Sequence, residues 1–230
     1  MQGILYIDKP AGWTSFDVVN YVRRIVASVE GKKPKNCKVG HSGTLDPFAT
    51  GLLILLIGKD YTRRASEFSK LDKTYEMTMR LGQASSTGDP EGEVRSISDR
   101  VPSSANIELA LSRFRGEINQ VPPAFSAIKV NGVRAYKLAR EGKDVALEAR
   151  PITLHRLSLL SYSYPLVTLM AEVSSGTYIR TLVEDLGTEL KTGAYTTQLR
   201  RTKIADIGVS KAVQIDGLNA EILTSHLRVG

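Results

Sequence analysis

Six consecutive residues, Leu52 to Ile57, are apolar whichever way they face, so the segment has to be covered on both sides. It is far too short for a bilayer, which takes about 20 apolar residues in a helix. The run reads as a buried strand, although periodicity by itself leaves a buried helix open. A second constraint lies at Thr74 to Leu81, where Tyr75, Met77, Met79 and Leu81 alternate with Thr74, Glu76, Thr78 and Arg80. That period of two marks a half-buried strand.

Around these strands the chain mixes elements. Ile4 to Ile7 reads as a short strand broken by Lys9-Pro10-Ala11-Gly12. Thr14 can cap a helix, with Asp17 completing a capping box and Val19, Val22, Val26 and Val29 forming a core stripe. Residues 30–51 lack periodicity and read as one long basic loop, and long loops in compact domains tend to carry function. Thr62 to Leu71 reads as a short helix and residues 82–92 as a polar loop. Ser103 or Ser104 can cap a helix with Ile107, Ala110, Leu111 and Phe114 inward, stopped by Gly116. Ala127 to Val130 reads as a strand entering a turn at Asn131-Gly132, followed by a short helix ending at Gly142.

Strands at Ile152 to Ser161 and Leu166 to Val173, a helix at Tyr178 to Leu190, an extended stretch at Tyr195 to Ala205 and a helix near Ala220 to Leu227 complete the pattern. With no repeat, linker or composition break, one continuous α+β domain with a mostly antiparallel sheet fits best. The order of elements does not suit a doubly wound parallel sheet.

Composition narrows the function classes. Hydrophobic residues make up 42% and charged residues 24% of the 230, values of an ordinary folded protein rather than a disordered one. One cysteine, Cys37, excludes an internal disulfide, and scattered His41, His155 and His226 make no metal-ligand cluster. The N-terminus has no basic region ahead of its short apolar run, so the expected location is the cytoplasm. The formal charge is +7, and residues 1–70 hold 11 basic against 6 acidic residues. A surplus concentrated there favours a polyanionic partner, most simply nucleic acid.

The segment from Gly40 to Gly51 concentrates reactive side chains and backbone punctuation. It lacks the lysine of a phosphate loop and the spacing of a serine nucleophile elbow. What remains is Asp46, followed by a proline that fixes its backbone. From the residues alone two readings stay open: a turn with a loop histidine at His41, or a rigid loop presenting Asp46 as nucleophile or base. A carboxylate nucleophile must stay ionised where water is excluded, which calls for a nearby cation. Arg180 is the candidate, since it opens a helix where the dipole disfavours a cation.

Taken together, these segments resemble the TruB family of bacterial tRNA pseudouridine synthases. The resemblance rests on Asp8-Lys9-Pro10 with Gly12 and Thr14-Ser15, then Gly40-His41-x-Gly43-Thr44-Leu45-Asp46-Pro47-x-Ala49-Thr50-Gly51-Leu52-Leu53. It continues in Asp72-Lys73-x-Tyr75, Pro122-Pro123-x-Phe125-Ser126-Ala127-x-Lys129, Ala135-Tyr136 with Ala139-Arg140-x-Gly142, Gly176 to Thr181, and Leu199-Arg200-Arg201. The motifs run in order from residue 8 to residue 201.

The resemblance implies a pseudouridine synthase fold with a mixed, mostly antiparallel sheet, flanking helices and a central RNA-binding cleft. It implies isomerisation of the T-loop uridine of tRNA, position 55, after base flipping. Asp46 matches the catalytic aspartate, Tyr75 the tyrosine that stacks on the target base and is implicated in proton transfer, and Arg180 the arginine that pairs with the aspartate. His41 matches the histidine involved with displaced T-loop nucleotides, Tyr178 and Leu199 match pocket positions, and Lys9 falls in a Lys-Pro motif that supports the substrate site. An isomerisation needs no metal and no cofactor. The expected partner is the T-arm of tRNA, with no membrane and no obligate protein partner.

Two departures, Ser42 for the usual threonine and Phe48 for a common leucine, keep the side-chain character. The chain stops at Gly230, so the expectation is one catalytic domain, about 1–205 as core and 206–230 as a short C-terminal segment, without a full C-terminal RNA-binding PUA-like domain. The competing reading is an RNA-binding or tRNA-folding module in which catalysis is secondary.

Overall fold

The apolar run at residues 52–57 is a strand, and its two faces are covered separately. Leu53, Leu55 and Ile57 join a cluster with Leu5, Ile7, Val18, Val22, Val26, Ile215 and Leu223, whereas Leu52, Ile54 and Leu56 pack with Ile4 and Ile204. All six side chains of the strand are sealed from solvent. Burying a Leu or Ile this fully contributes about 1.5–3 kcal/mol, which makes the strand the energetic centre of its surroundings.

The computed structural model describes residues 1–126, 128–130, 132–143 and 145–229. These fall into two units, one formed by Met1–Glu76 with the chain from Leu199 onward, the other by Met77–Gln198.

The first unit holds β1 (Gly3–Lys9), α1 (Ser15–Glu30), β2 (Val39–His41), β3 (Thr50–Ile57), α2 (Lys59–Arg63) and α3 (Ala65–Ser69). It also holds the start of β4 (Lys73–Leu81). β1 runs antiparallel to β3, with Lys9 opposite Gly51 and Ile4 opposite Leu56, and β2 lies antiparallel on the same strand.

The second unit continues with β5 (Gln83–Ser85), β6 (Val94–Ser96), α4 (Ser104–Phe114), β7 (Gly116–Gln120), β8 (Lys129–Val130), β9 (Val133–Arg134) and α5 (Ala135–Arg140). After these come β10 (Arg150–Ser163), β11 (Leu166–Val173) and α6 (Ile179–Glu189). β10 pairs antiparallel with β11 on one side and β7 on the other, while β5 with β6 and β8 with β9 form small hairpins.

β12 (Ala194–Ile204) returns the chain to the first unit, followed by β13 (Ile207–Gly208), β14 (Val213–Gln214) and α7 (Ala220–His226). There Arg200 and Arg201 of β12 lie parallel to Thr50 and Gly51 of β3, and β14 is parallel to β1. The fold is thus α+β with a mixed, mostly antiparallel sheet, as the pattern of elements requires.

Several expectations need correction. Val29 lies on the inward face of α1 by angle but is 47% exposed, because the last turn extends beyond the core cluster and Val18 completes the stripe instead. Phe114 is only half-buried. Residues 30–51 are not one loop, since β2 adds a short strand to β3. The helix expected at 62–71 is split into α2 and α3, and the polar loop at 82–92 opens with β5, half of a hairpin. Ala127 and Asn131, assigned to a strand and its turn, lie outside the described residues.

Candidate active site

Asp46 lies in the connection between β2 and β3, half-buried, on a backbone pinned from both sides. Ahead of it, the Ser15 hydroxyl accepts from the Leu45 amide at 2.8 Å and donates to the Leu45 carbonyl at 3.1 Å. Behind it, the Pro47 carbonyl accepts from the Gly12 amide at 2.9 Å and from Lys9 Nζ at 3.1 Å. The Asp46 carbonyl itself accepts from the Ala49 amide at 3.1 Å, closing a tight turn over the proline.

Lys9 is completely buried and spends its ammonium on carbonyls, those of Pro10 at 2.8 Å and Trp13 at 2.6 Å as well as Pro47. All three of these bonds end on backbone. Charge-assisted hydrogen bonds of this type are worth roughly 1.5–3 kcal/mol each, which offsets the cost of burying the charge.

Arg201, 1% exposed, is a second buried cation used in the same way. Its Nε donates to the Leu52 carbonyl at 2.7 Å and its Nη2 to the Gly43 carbonyl at 3.1 Å, tying the start of the loop to β3. Gly51 permits this crossing, since its φ is +104° and a Cβ there would fall 2.3 Å from the Arg201 carbonyl oxygen. Beside Arg201, Arg200 grips the Asp8 carboxylate at 3.0 and 2.7 Å, with Gln214 on the same carboxylate at 3.0 Å.

His41 closes β2. Burial, and then the charge of Arg201, hold its imidazole below the ordinary range, so it is neutral at neutral pH. The Gly43 amide donates to its Nδ1 at 3.3 Å, which places the ring proton on Nε2. Tyr75 and Leu199, each 7% exposed, complete the expected residues of this unit. Tyr75 shares the buried face of β4 with Lys73, whose ammonium donates to the Ser69 carbonyl at 2.8 Å and to that of Leu71. Burial, reinforced by Arg201, pulls the Lys73 pKa down to about 8.

Arg180 and Tyr178 belong to the second unit. Arg180 is buried, at 5% exposed. Its Nη1 donates to the Thr87 carbonyl at 2.8 Å and its Nη2 to that of Phe125 at 2.9 Å. The Asp89 carboxylate stands 3.5 Å from Nη1 and offsets the unfavourable helix dipole. Asp89 is in turn fixed by the Thr87 hydroxyl at 2.6 Å and the Glu91 amide at 3.0 Å. One turn along α6, burial raises the Glu184 pKa and Arg180 partly opposes it.

The entry to α6 has no side-chain cap of its own at Tyr178. Gln120, buried at the end of β7, holds the Tyr178 backbone instead: its Oε1 accepts from the Tyr178 amide at 2.8 Å and its Nε2 donates to the Tyr178 carbonyl at 3.0 Å. That clamp sets where Arg180 begins.

Sequence reasoning missed Asp89 and Gln120, and it gave no individual role to Ser15 or Arg201. The one local signal for Asp89 is Gly88-Asp89-Pro90, a turn signature inside what read as a featureless polar loop.

The model of the TruB family pseudouridylate synthase N-terminal domain matches residues 31–179 of this chain. The chain belongs to that family. The model of the tRNA pseudouridylate synthase B C-terminal domain matches residues 180–228, so the junction of the two matches falls in the first turn of α6. The tRNA pseudouridine synthase B of Burkholderia mallei is 43% identical over 220 residues, covering 96% of this chain and 70% of the relative. That of Pseudomonas aeruginosa is 43% identical over 218 residues, covering 95% and 69%. Among solved structures, a chain of a Cbf5-Nop10-Gar1 complex superposes with a TM-score of 0.71 at 25% identity, over 98% of this chain. This TruB-family chain spans 59% of that solved chain. No helix among the described residues is long and apolar enough to cross a membrane.

Proposed function

We propose that this TruB-family chain isomerises the T-loop uridine of tRNA to pseudouridine with Asp46 as the nucleophile. The observation that carries this reading is the pinning of Leu45 and Pro47, which fixes the backbone on both sides of Asp46 on an otherwise irregular loop. In the reaction the bond from the ribose C1′ to uracil N1 breaks, the base rotates, and a bond from C1′ to C5 forms. The C5 proton is lost and N1 gains one, so no atom is added or removed overall. Each step needs positioning and charge stabilisation.

Each remaining residue takes the role that the family resemblance implies for it. Arg180, buried and oriented by Asp89, is the cation that the family resemblance pairs with the catalytic aspartate. Tyr75 offers an aromatic face to the base that leaves the RNA stack, an exchange worth about 1–3 kcal/mol per base. His41 is kept neutral and suits the displaced loop nucleotides as a hydrogen-bonding partner, and the family resemblance assigns Tyr178 and Leu199 to substrate binding. Lys9 supports the site through the backbone. Residues 1–205 form the catalytic core and 206–230 a short C-terminal segment in this reading.

The T-arm is recognised by shape and phosphate contacts, without an obligate protein partner. A cytoplasmic location, where tRNA matures, follows from it. Carbodiimide modification and primer extension on a T-arm transcript test the proposal: incubation with the protein should produce a stop at the T-loop uridine. A transcript bound and refolded without that stop would favour the RNA-folding module instead.

A further inference from the structure

α1 begins beside two hydroxyl residues and uses only one of them for its own start. The Thr14 side chain accepts from the Asp17 amide at 3.0 Å, and the Asp17 carboxylate accepts from the Thr14 amide at 2.9 Å. This reciprocal box satisfies the helix entrance. Ser15, the first helical residue, is surplus to it and is only 2% exposed. A buried hydroxyl is costly unless hydrogen-bonded, and alanine is the better helix former.

Its partner is Leu45, thirty positions along the chain. A single side chain there takes both the amide and the carbonyl of one residue. Leu45 is 4% exposed and lies in no helix or strand, so its backbone groups have no ladder to join. The residue so held is the one immediately before Asp46.

We propose that Ser15 is a positioning residue for Asp46, an inference that rests on the reading of Asp46 as nucleophile. With Leu45 held by Ser15 and Pro47 held by Gly12 and Lys9, the Asp46 backbone is suspended between two fixed peptides. Releasing the Leu45 end leaves the side chain of Leu45 in the core but lets the carboxylate shift. A displacement of about 1 Å at a reacting group costs on the order of 100-fold in rate.

The test compares Ser15→Ala and Ser15→Thr with the unaltered chain in single-turnover pseudouridine formation on a T-arm transcript. RNA affinity is measured on the same preparations, and rates are scaled to the folded fraction from circular dichroism. For Ser15→Ala the rate per folded molecule falls about 10- to 100-fold while RNA affinity stays within about twofold. Ser15→Thr, which keeps the hydroxyl, recovers most of the rate. A wild-type rate per folded molecule in Ser15→Ala, or a loss confined to RNA affinity, overturns the proposal. Should Ser15→Ala not fold, Ser15→Cys carries the same comparison, and a wild-type rate per folded molecule there overturns it equally. Asp46→Asn in the same assay separates the two claims: if it stays active, the nucleophile reading fails; if it is inactive while Ser15→Ala is unimpaired, only the positioning role falls.

Discussion

The carboxylate of Asp89 stands 3.5 Å from the guanidinium of Arg180, with both side chains almost wholly buried. Arg180 also donates to two backbone carbonyls, so Asp89 sets its charge balance more than its anchorage. Removing one partner of a buried pair leaves the other uncompensated, at a cost of about 3–5 kcal/mol. Asp89→Ala should therefore lower stability by about 3 kcal/mol in urea unfolding and reduce the single-turnover rate about 100-fold. Asp89→Asn, which still accepts from Thr87 and Glu91, should unfold at higher urea than Asp89→Ala.

Lys9→Met keeps much of the side-chain volume and deletes three hydrogen bonds to buried or half-buried backbone. The loss expected in urea unfolding is about 3 kcal/mol, and the rate should fall with RNA affinity little changed. Unchanged stability would mean that the ammonium does not hold the loop.

Lys73 gives a dependence on pH with a definite sign. Its pKa is lowered from 10.5 to about 8 by burial and Arg201. Between those values the unfolded chain binds more protons than the folded one, so this group makes stability rise as pH climbs through that window. Below about pH 8 it is charged in both states and contributes no slope. The difference in unfolding free energy between the unaltered chain and Lys73→Met should grow from pH 8 to pH 10, with a slope of at most about 1.4 kcal/mol per pH unit. A flat difference would place the lysine in a far wetter setting.

Gln120→Glu tests the clamp on α6, since a carboxylate keeps the acceptor for the Tyr178 amide and loses the donor for its carbonyl. The exchange sets two oxygens against each other in a buried place and should cost about 2 kcal/mol by thermal or urea unfolding. Gln120→Ala should lose a similar amount.

The parts of this fold that could be read from sequence are those in which a local pattern matches a local cause. β3 and β4 followed from runs of six and eight residues, α1 from its capping box at Thr14, and α4 from a serine cap that the structure places at Ser103. β2, β7 and β14 could not be read that way, because strands of two to five residues carry too few positions to show a period and exist by pairing with partners far along the chain. The same division holds at the site. Asp46 stood out through its glycine-rich setting and its proline, and Arg180 through its awkward place at a helix start. Asp89, Gln120 and the use made of Ser15 and Arg201 depend on contacts across 30 to 158 positions, for which one sequence offers no signal.

RNA affinity should fall steeply with salt. With +5 of the formal +7 carried by residues 1–70, phosphate contacts release counterions on binding, and affinity for a T-arm transcript should drop at least about tenfold between 50 and 200 mM salt. Filter binding across that range measures the slope, and a flat response would contradict phosphate-led binding.

The most direct test of the account is release of tritium from a T-arm transcript carrying uridine labelled at carbon 5. The unaltered chain should release the label from the T-loop uridine in full, without metal or nucleotide added, and Asp46→Asn should bind the same transcript and release none. Release by Asp46→Asn at the unaltered rate, or none from the unaltered chain, would contradict it.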